Sequence, residues 1–191
     1  MNFVVRGIEF NDERLAKLTC EVLDELAAIG LVPSHLESVK LRKQNKKFGC
    51  CHTNYIKATG KVLHNNITIN RKFIEENASD KALKDVLVHE ICHAMEDCAL
   101  CGHDGKWSEY ADLINDCYSM DIRQYGSYEK YELTQTERNT YRCKCEHCGR
   151  IITKKGYRAP KWYKHPQGFT HTCADGTKGK IISEYYGKFE D

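Results

Sequence analysis

The segment His89-Glu90-Ile91-Cys92-His93 constrains this chain most, because it lies inside an apolar repeat of helical period. Leu83, Val86, Leu87, Ile91, Ala94 and Met95 recur at that spacing, and Ser79 and Asp80 supply N-capping side chains ahead of them. The pattern predicts an amphipathic helix with one face buried. On it His89 and His93 are one turn apart and face the same way. Such a pair supplies two of the three protein ligands of a catalytic zinc, with Glu90 beside them as a general base for water. His103, in Gly102-His103-Asp104-Gly105-Lys106-Trp107, is the expected third ligand, since the glycines let the chain turn back. Glu96, Asp97 and Asp104 are its alternatives, or partners that orient an imidazole. A pattern of three fixed positions recurs by chance, so the helix and the third histidine carry the argument.

The scaffold is legible on both sides of this segment. Asn11 or Asp12 caps a first helix running to about Ile29, with Leu15, Leu18, Val22 and Leu26 on one side and Gly30 beyond its end. Val39 and Leu41 alternate with Lys40 and Arg42 as in a half-buried strand, and Thr59-Gly60 turns the chain into a strand from Lys61 to Asn70. Two or three strands are expected before the metal-binding helix, one of them placed to offer its backbone to an extended peptide. Trp107, Tyr110, Ala111, Ile114 and Cys117 predict a further helix, with Trp107 and Tyr110 as core residues and Tyr110 also a candidate oxyanion donor. Residues 121–137 read as a polar linker. The fold class is α+β.

Eleven cysteines in 191 residues is an odd number in a chain long enough for a core, which argues for thiols and metal ligands over a disulfide scaffold. Cys145 and Cys148 form a Cys-x-x-Cys-Gly knuckle, and His171 and Cys173 form a second close pair of donors. Cys145, Cys148, His171 and Cys173 are therefore the expected ligands of a structural zinc, as in a zinc ribbon, with Cys143 and then His147 as competitors. Two domains follow, 1–137 and a small 138–191. The latter holds too little aliphatic content to keep its shape without metal.

Charge divides the chain at the same place: residues 138–191 carry +7, the rest −5. Lys154, Lys155, Arg158, Lys161 and Lys164 alternate there with Tyr157, Trp162, Tyr163 and His165, a mixture that neutralises phosphates and stacks on unpaired bases. Nucleic acid, single-stranded DNA favoured, is thus an expected partner alongside a protein or peptide substrate. No apolar run reaches membrane-spanning length, and the start lacks a basic leader followed by an apolar segment, so no membrane partner and a cytoplasmic location are expected.

Taken together, Phe48-Gly49-Cys50-Cys51, the strand end Ile67-Thr68-Ile69-Asn70, the helix Val86 to Met95, His103-Asp104-Gly105-Lys106-Trp107 and the cysteine-rich stretch after Tyr141 resemble the SprT-like zinc metallopeptidases. That group includes the Spartan proteases that act on DNA–protein crosslinks. The resemblance spans roughly residues 10 to 185. It implies a small zincin-like α+β domain in which His89, His93 and His103 bind the catalytic zinc and Glu90 is the base, followed by a zinc ribbon facing substrate or nucleic acid. Family ribbons usually end in Cys-x-x-Cys, where this chain has His171-Thr172-Cys173. The competing expectation is a zinc-containing nucleic-acid-binding protein with an idle protease site.

Overall fold

A computed structural model of the protein describes residues 1–98, 101–135 and 138–184, and the chain divides into two units at Gln135/Thr136. In the first unit, Arg6 and Gly7 both take positive φ, which closes a tight hairpin between β1 (Phe3–Val5) and β2 (Ile8–Phe10). Asp12 then caps α1 (Glu13–Ala28) by accepting the Leu15 N–H at 2.9 Å. Gly30, with φ +77, ends that helix as expected. Next come β3 (Leu36–Arg42), β4 (Gly49–Tyr55), β5 (Val62–Asn70) and the short α2 (Lys72–Glu75). Five strands therefore precede the helix that carries His89 and His93, where two or three were expected; β1, β2 and β4 are short or polar and lack a sustained alternation.

The sheet runs in the order β1-β2-β3-β5-β4. β2, β3 and β5 run parallel to one another, while β1 lies antiparallel along β2 at one edge and β4 returns antiparallel along β5 at the other. α1 and α3 (Asp80–Cys92) pack on each other and on the sheet, and Phe10, Leu15, Val39, Ile67, Leu83 and Leu87 are sealed between them. Ser79 caps α3 through its hydroxyl, which accepts the Ala82 N–H at 3.2 Å. α4 (Lys106–Tyr118) starts from Gly105, whose φ of +61 suits only glycine there, and buries Trp107, Ala111 and Ile114. Residues 121–135 are no linker: Ile122, Tyr131 and Leu133 are buried, and the Tyr131 ring packs edge-on to Phe48 at 4.8 Å.

The second unit is a four-stranded antiparallel sheet of β6 (Asn139–Cys145), β7 (Ile151–Gly156), β8 (Thr170–Thr172) and β9 (Lys178–Glu184), ordered β7-β6-β9-β8, with α5 (Lys161–Lys164) between β7 and β8. Among its described residues the buried apolar side chains are Cys143, Cys145, Cys173 and Ile181. The protein as a whole is thus a mixed α+β structure. Among the described residues no helix is long and apolar enough to cross a membrane.

Candidate metal centres

α3 ends where its histidines need it to. The Ala94 carbonyl accepts from Ser34 N at 3.0 Å and also from the Ser34 hydroxyl and the Asn65 amide, so the chain leaves the helix just after His93. His93 occupies the C-cap position with helical φ and ψ, and it keeps its place one turn beyond His89. Trp107 of α4 donates its indole N–H to the His89 carbonyl, one of the last groups on α3 without a helical partner. Its ring lies 4.8, 5.5 and 4.6 Å from the rings of His89, His93 and His103. The tryptophan is a core residue, as expected, and it is also the surface on which the three imidazoles rest.

These imidazoles converge. His103 Nε2 lies 3.1 Å from His89 Nε2 and 3.2 Å from His93 Nε2. Two nitrogens bound to one tetrahedral zinc stand about 3.3 Å apart. On His89 the Arg123 carbonyl, 3.0 Å from Nδ1, holds the ring proton there and leaves Nε2 with a free lone pair. Burial pushes His89 down to about 3 and His93 to about 4, and lowers His103 as well, so neutral imidazoles face one another. Three neutral donors at this spacing fit a divalent cation. Asp97 is used elsewhere, accepting from the Tyr110 hydroxyl at 2.8 Å; that contact turns Tyr110 away from an oxyanion role. Among the described residues Glu96, Asp97 and Asp104 do not join the three histidines.

Glu90 is 6% exposed and lines the same cleft of about 530 Å³. Burial raises its carboxyl to about 7, against a backbone hydrogen bond from Cys51 that stabilises the ionised form. The carboxylate lies flat against β4 because Gly49 has no side chain: a Cβ there would sit 2.5 Å from Glu90 Oε1 and 2.7 Å from its Cγ. Sequence reasoning missed Gly49 and Cys51 as the seat of this group. A glycine inside a strand marks close approach of another group, and Gly49 carried that signal. Cys92, facing the core with its thiol pushed up to about 12 by burial, is packing.

In the second unit Cys145, Cys148 and Cys173 meet, with Cys145 and Cys173 sulfurs 3.7 Å apart. Sulfurs sharing one tetrahedral zinc stand about 3.8 Å apart. Backbone N–H groups of Cys148 and His147 donate to the Cys145 sulfur and lower its pKa, the usual way a turn prepares a thiolate. His171 and Cys143 are not among the side chains brought together there. His147 instead lies 3.0 Å from Asp175 through Nε2, and these two form a second group with Cys173. Lys154, Lys155, Arg158, Lys161 and Lys164 are exposed, whereas Tyr157, Trp162 and Tyr163 are half-buried. Tyr163 packs edge-on to Tyr141 at 5.1 Å and Arg138 lies over Tyr157, so these rings are partly engaged in holding the unit together.

A model of the SprT-like family matches residues 15–137. No curated protein matches the chain.

Proposed function

The chain belongs to the SprT-like family, and from that premise we propose that its first unit is a zincin-like, zinc-dependent metallopeptidase that hydrolyses peptide bonds. One observation carries the reading: three imidazole Nε2 atoms converge at 3.1 and 3.2 Å in a cleft that also holds the buried Glu90 carboxylate. His89, His93 and His103 would hold the zinc. When bound, zinc supplies the Lewis acidity that makes water a nucleophile near neutral pH and polarises a carbonyl. Glu90 accepts the proton of the attacking water and returns it to the leaving amine, a task suited to a carboxyl whose pKa burial has raised. Trp107 and the Arg123 carbonyl keep the imidazoles oriented, and the Cys51 N–H and Gly49 keep the carboxylate seated.

The second unit is proposed as a structural zinc ribbon whose exposed cations engage nucleic acid, single-stranded DNA favoured. Protein associated with or crosslinked to DNA is then the proposed substrate. The test uses zinc-loaded chain with a DNA-bound protein, with and without single-stranded DNA and with a chelator. Cleavage that needs zinc and rises with DNA is expected. Zinc and DNA binding without cleavage would favour a binding protein with an idle site.

Gly49→Ala is a sharp probe of the same site. Its Cβ would force the Glu90 carboxylate off β4, and a misplacement of that order costs about a hundredfold in rate. Hydrolysis should fall by that factor at unchanged zinc content. An alanine variant with wild-type turnover would mean that the carboxylate needs no such seat.

A further inference from the structure

Two turns in the second unit are built to one plan. In the first, the Cys145 N–H donates to the Arg150 carbonyl, the Cys145 carbonyl accepts from the Gly149 N–H, and Gly149 takes φ +70. In the second, the Cys173 N–H donates to the Thr177 carbonyl, the Cys173 carbonyl accepts from the Gly176 N–H, and Gly176 takes φ +82. Cys173 therefore matches Cys145, Gly176 matches Gly149 and Thr177 matches Arg150, with one residue fewer inside the second turn. The residue before the left-handed glycine is Cys148 in the first turn and Asp175 in the second.

From this we infer that Asp175 is the fourth ligand of the second metal centre, completing Cys145, Cys148 and Cys173, and that His171 is not a ligand. The inference rests on reading the three thiols as a metal site. A carboxylate oxygen is an accepted zinc ligand. Asp175 is held in place from two sides, by the Thr177 N–H on Oδ1 at 2.9 Å and by His147 Nε2 on Oδ2 at 3.0 Å. A carboxylate has lone pairs enough to accept both and still bind a cation. It lies within 4.8 Å of the Cys173 sulfur, as does the His147 ring, in a group that shares Cys173 alone with the three-thiol cluster. His147 is thereby a positioning residue that orients the ligand from outside. Gly179 leaves the space the centre needs, since a Cβ there would sit 2.3 Å from the Cys145 sulfur and 2.9 Å from His147 Cβ. His171, paired across from Gly179, offers the Cys173 sulfur its backbone carbonyl and belongs to neither of the two groups that share Cys173.

Cobalt(II) titration of the full chain tests this, because the sulfur-to-cobalt charge-transfer band counts thiolates and ignores the three-histidine site. The wild type should show three thiolates. Asp175→Cys should raise the band by about a third, to four thiolates, since it places a sulfur where the first turn has one. Asp175→Ala should weaken zinc binding at this centre by about tenfold or more, and His147→Ala should weaken it less. His171→Ala should change neither band nor affinity. A band that stays at three thiolates in Asp175→Cys, or affinity lost in His171→Ala, would overturn the assignment. Absence of any thiolate band in the wild type would sink the metal site itself, and the assignment with it.

Discussion

Glu90→Gln should lower peptide hydrolysis by about a thousandfold while zinc content stays at the wild-type level. The amide has the shape of the carboxylate and keeps an oxygen for the Cys51 N–H, so the packing against Gly49 survives. What it loses is the ability to take a proton. The metal-free protein adds a second readout. Glu90 has its folded pKa raised to about 7 by burial, above its unfolded value, so the stability it contributes is full at acid pH and fades as pH rises through 7. Glutamine has no such titration, and Glu90→Gln apoprotein should melt no lower than wild type at pH 8. Initial rates, metal analysis and a melting curve check the three statements together. Loss of zinc in the variant would recast Glu90 as a structural residue.

Removing metal from the second unit should unfold it while the first unit keeps its core. Cys143, Cys145, Cys173 and Ile181 are the buried apolar side chains described there, far less than a sheet of this size needs. In small domains of this kind metal binding is itself the folding free energy, on the order of 10 kcal/mol. Cys145→Ser, or a strong chelator, should collapse the amide dispersion of residues 139–184 and open them to protease. The first unit does not depend on this centre, because its core is a continuous apolar cluster from Ile8 to Leu133. Retained dispersion after complete metal removal would show that the sheet stands on backbone pairing alone.

Local signals were readable in this chain and long-range ones were not. Asp12, Ser79 and Gly30 mark helix ends through contacts within four residues, so both ends of α1 and the start of α3 were legible to within a residue or two, whereas α3 stops at Cys92, three residues short of the expected Met95. His89 and His93 share a helix face for the same reason. The seat of Glu90 depends on β4 pairing with β5 and then meeting α3, a consequence of tertiary packing that nothing near Gly49 specifies except the glycine itself. Residues 121–135 looked like a linker because their apolar residues are sparse, yet Tyr131 packs on both Phe48 and Phe73 and Tyr128 packs on Phe48 as well. In the cysteine turns, spacing made His171 look equivalent to its neighbours; only the hydrogen bonds of the two turns align Asp175 with Cys148.

The loop that includes Gln124, Tyr125 and Gly126 lines the cleft, and the carbonyl of Arg123 in the same stretch locks the His89 proton on Nδ1. On the proposed reading, occupancy of the cleft and retention of a bound ion would therefore be linked quantities. With the proposed zinc in place, a guest that pulled this loop away would free the His89 tautomer and weaken the hold on the metal; by reciprocity, a loaded ion would weaken the binding of that guest. The rate at which a chelator strips the first centre thus becomes a reporter of what the cleft is holding.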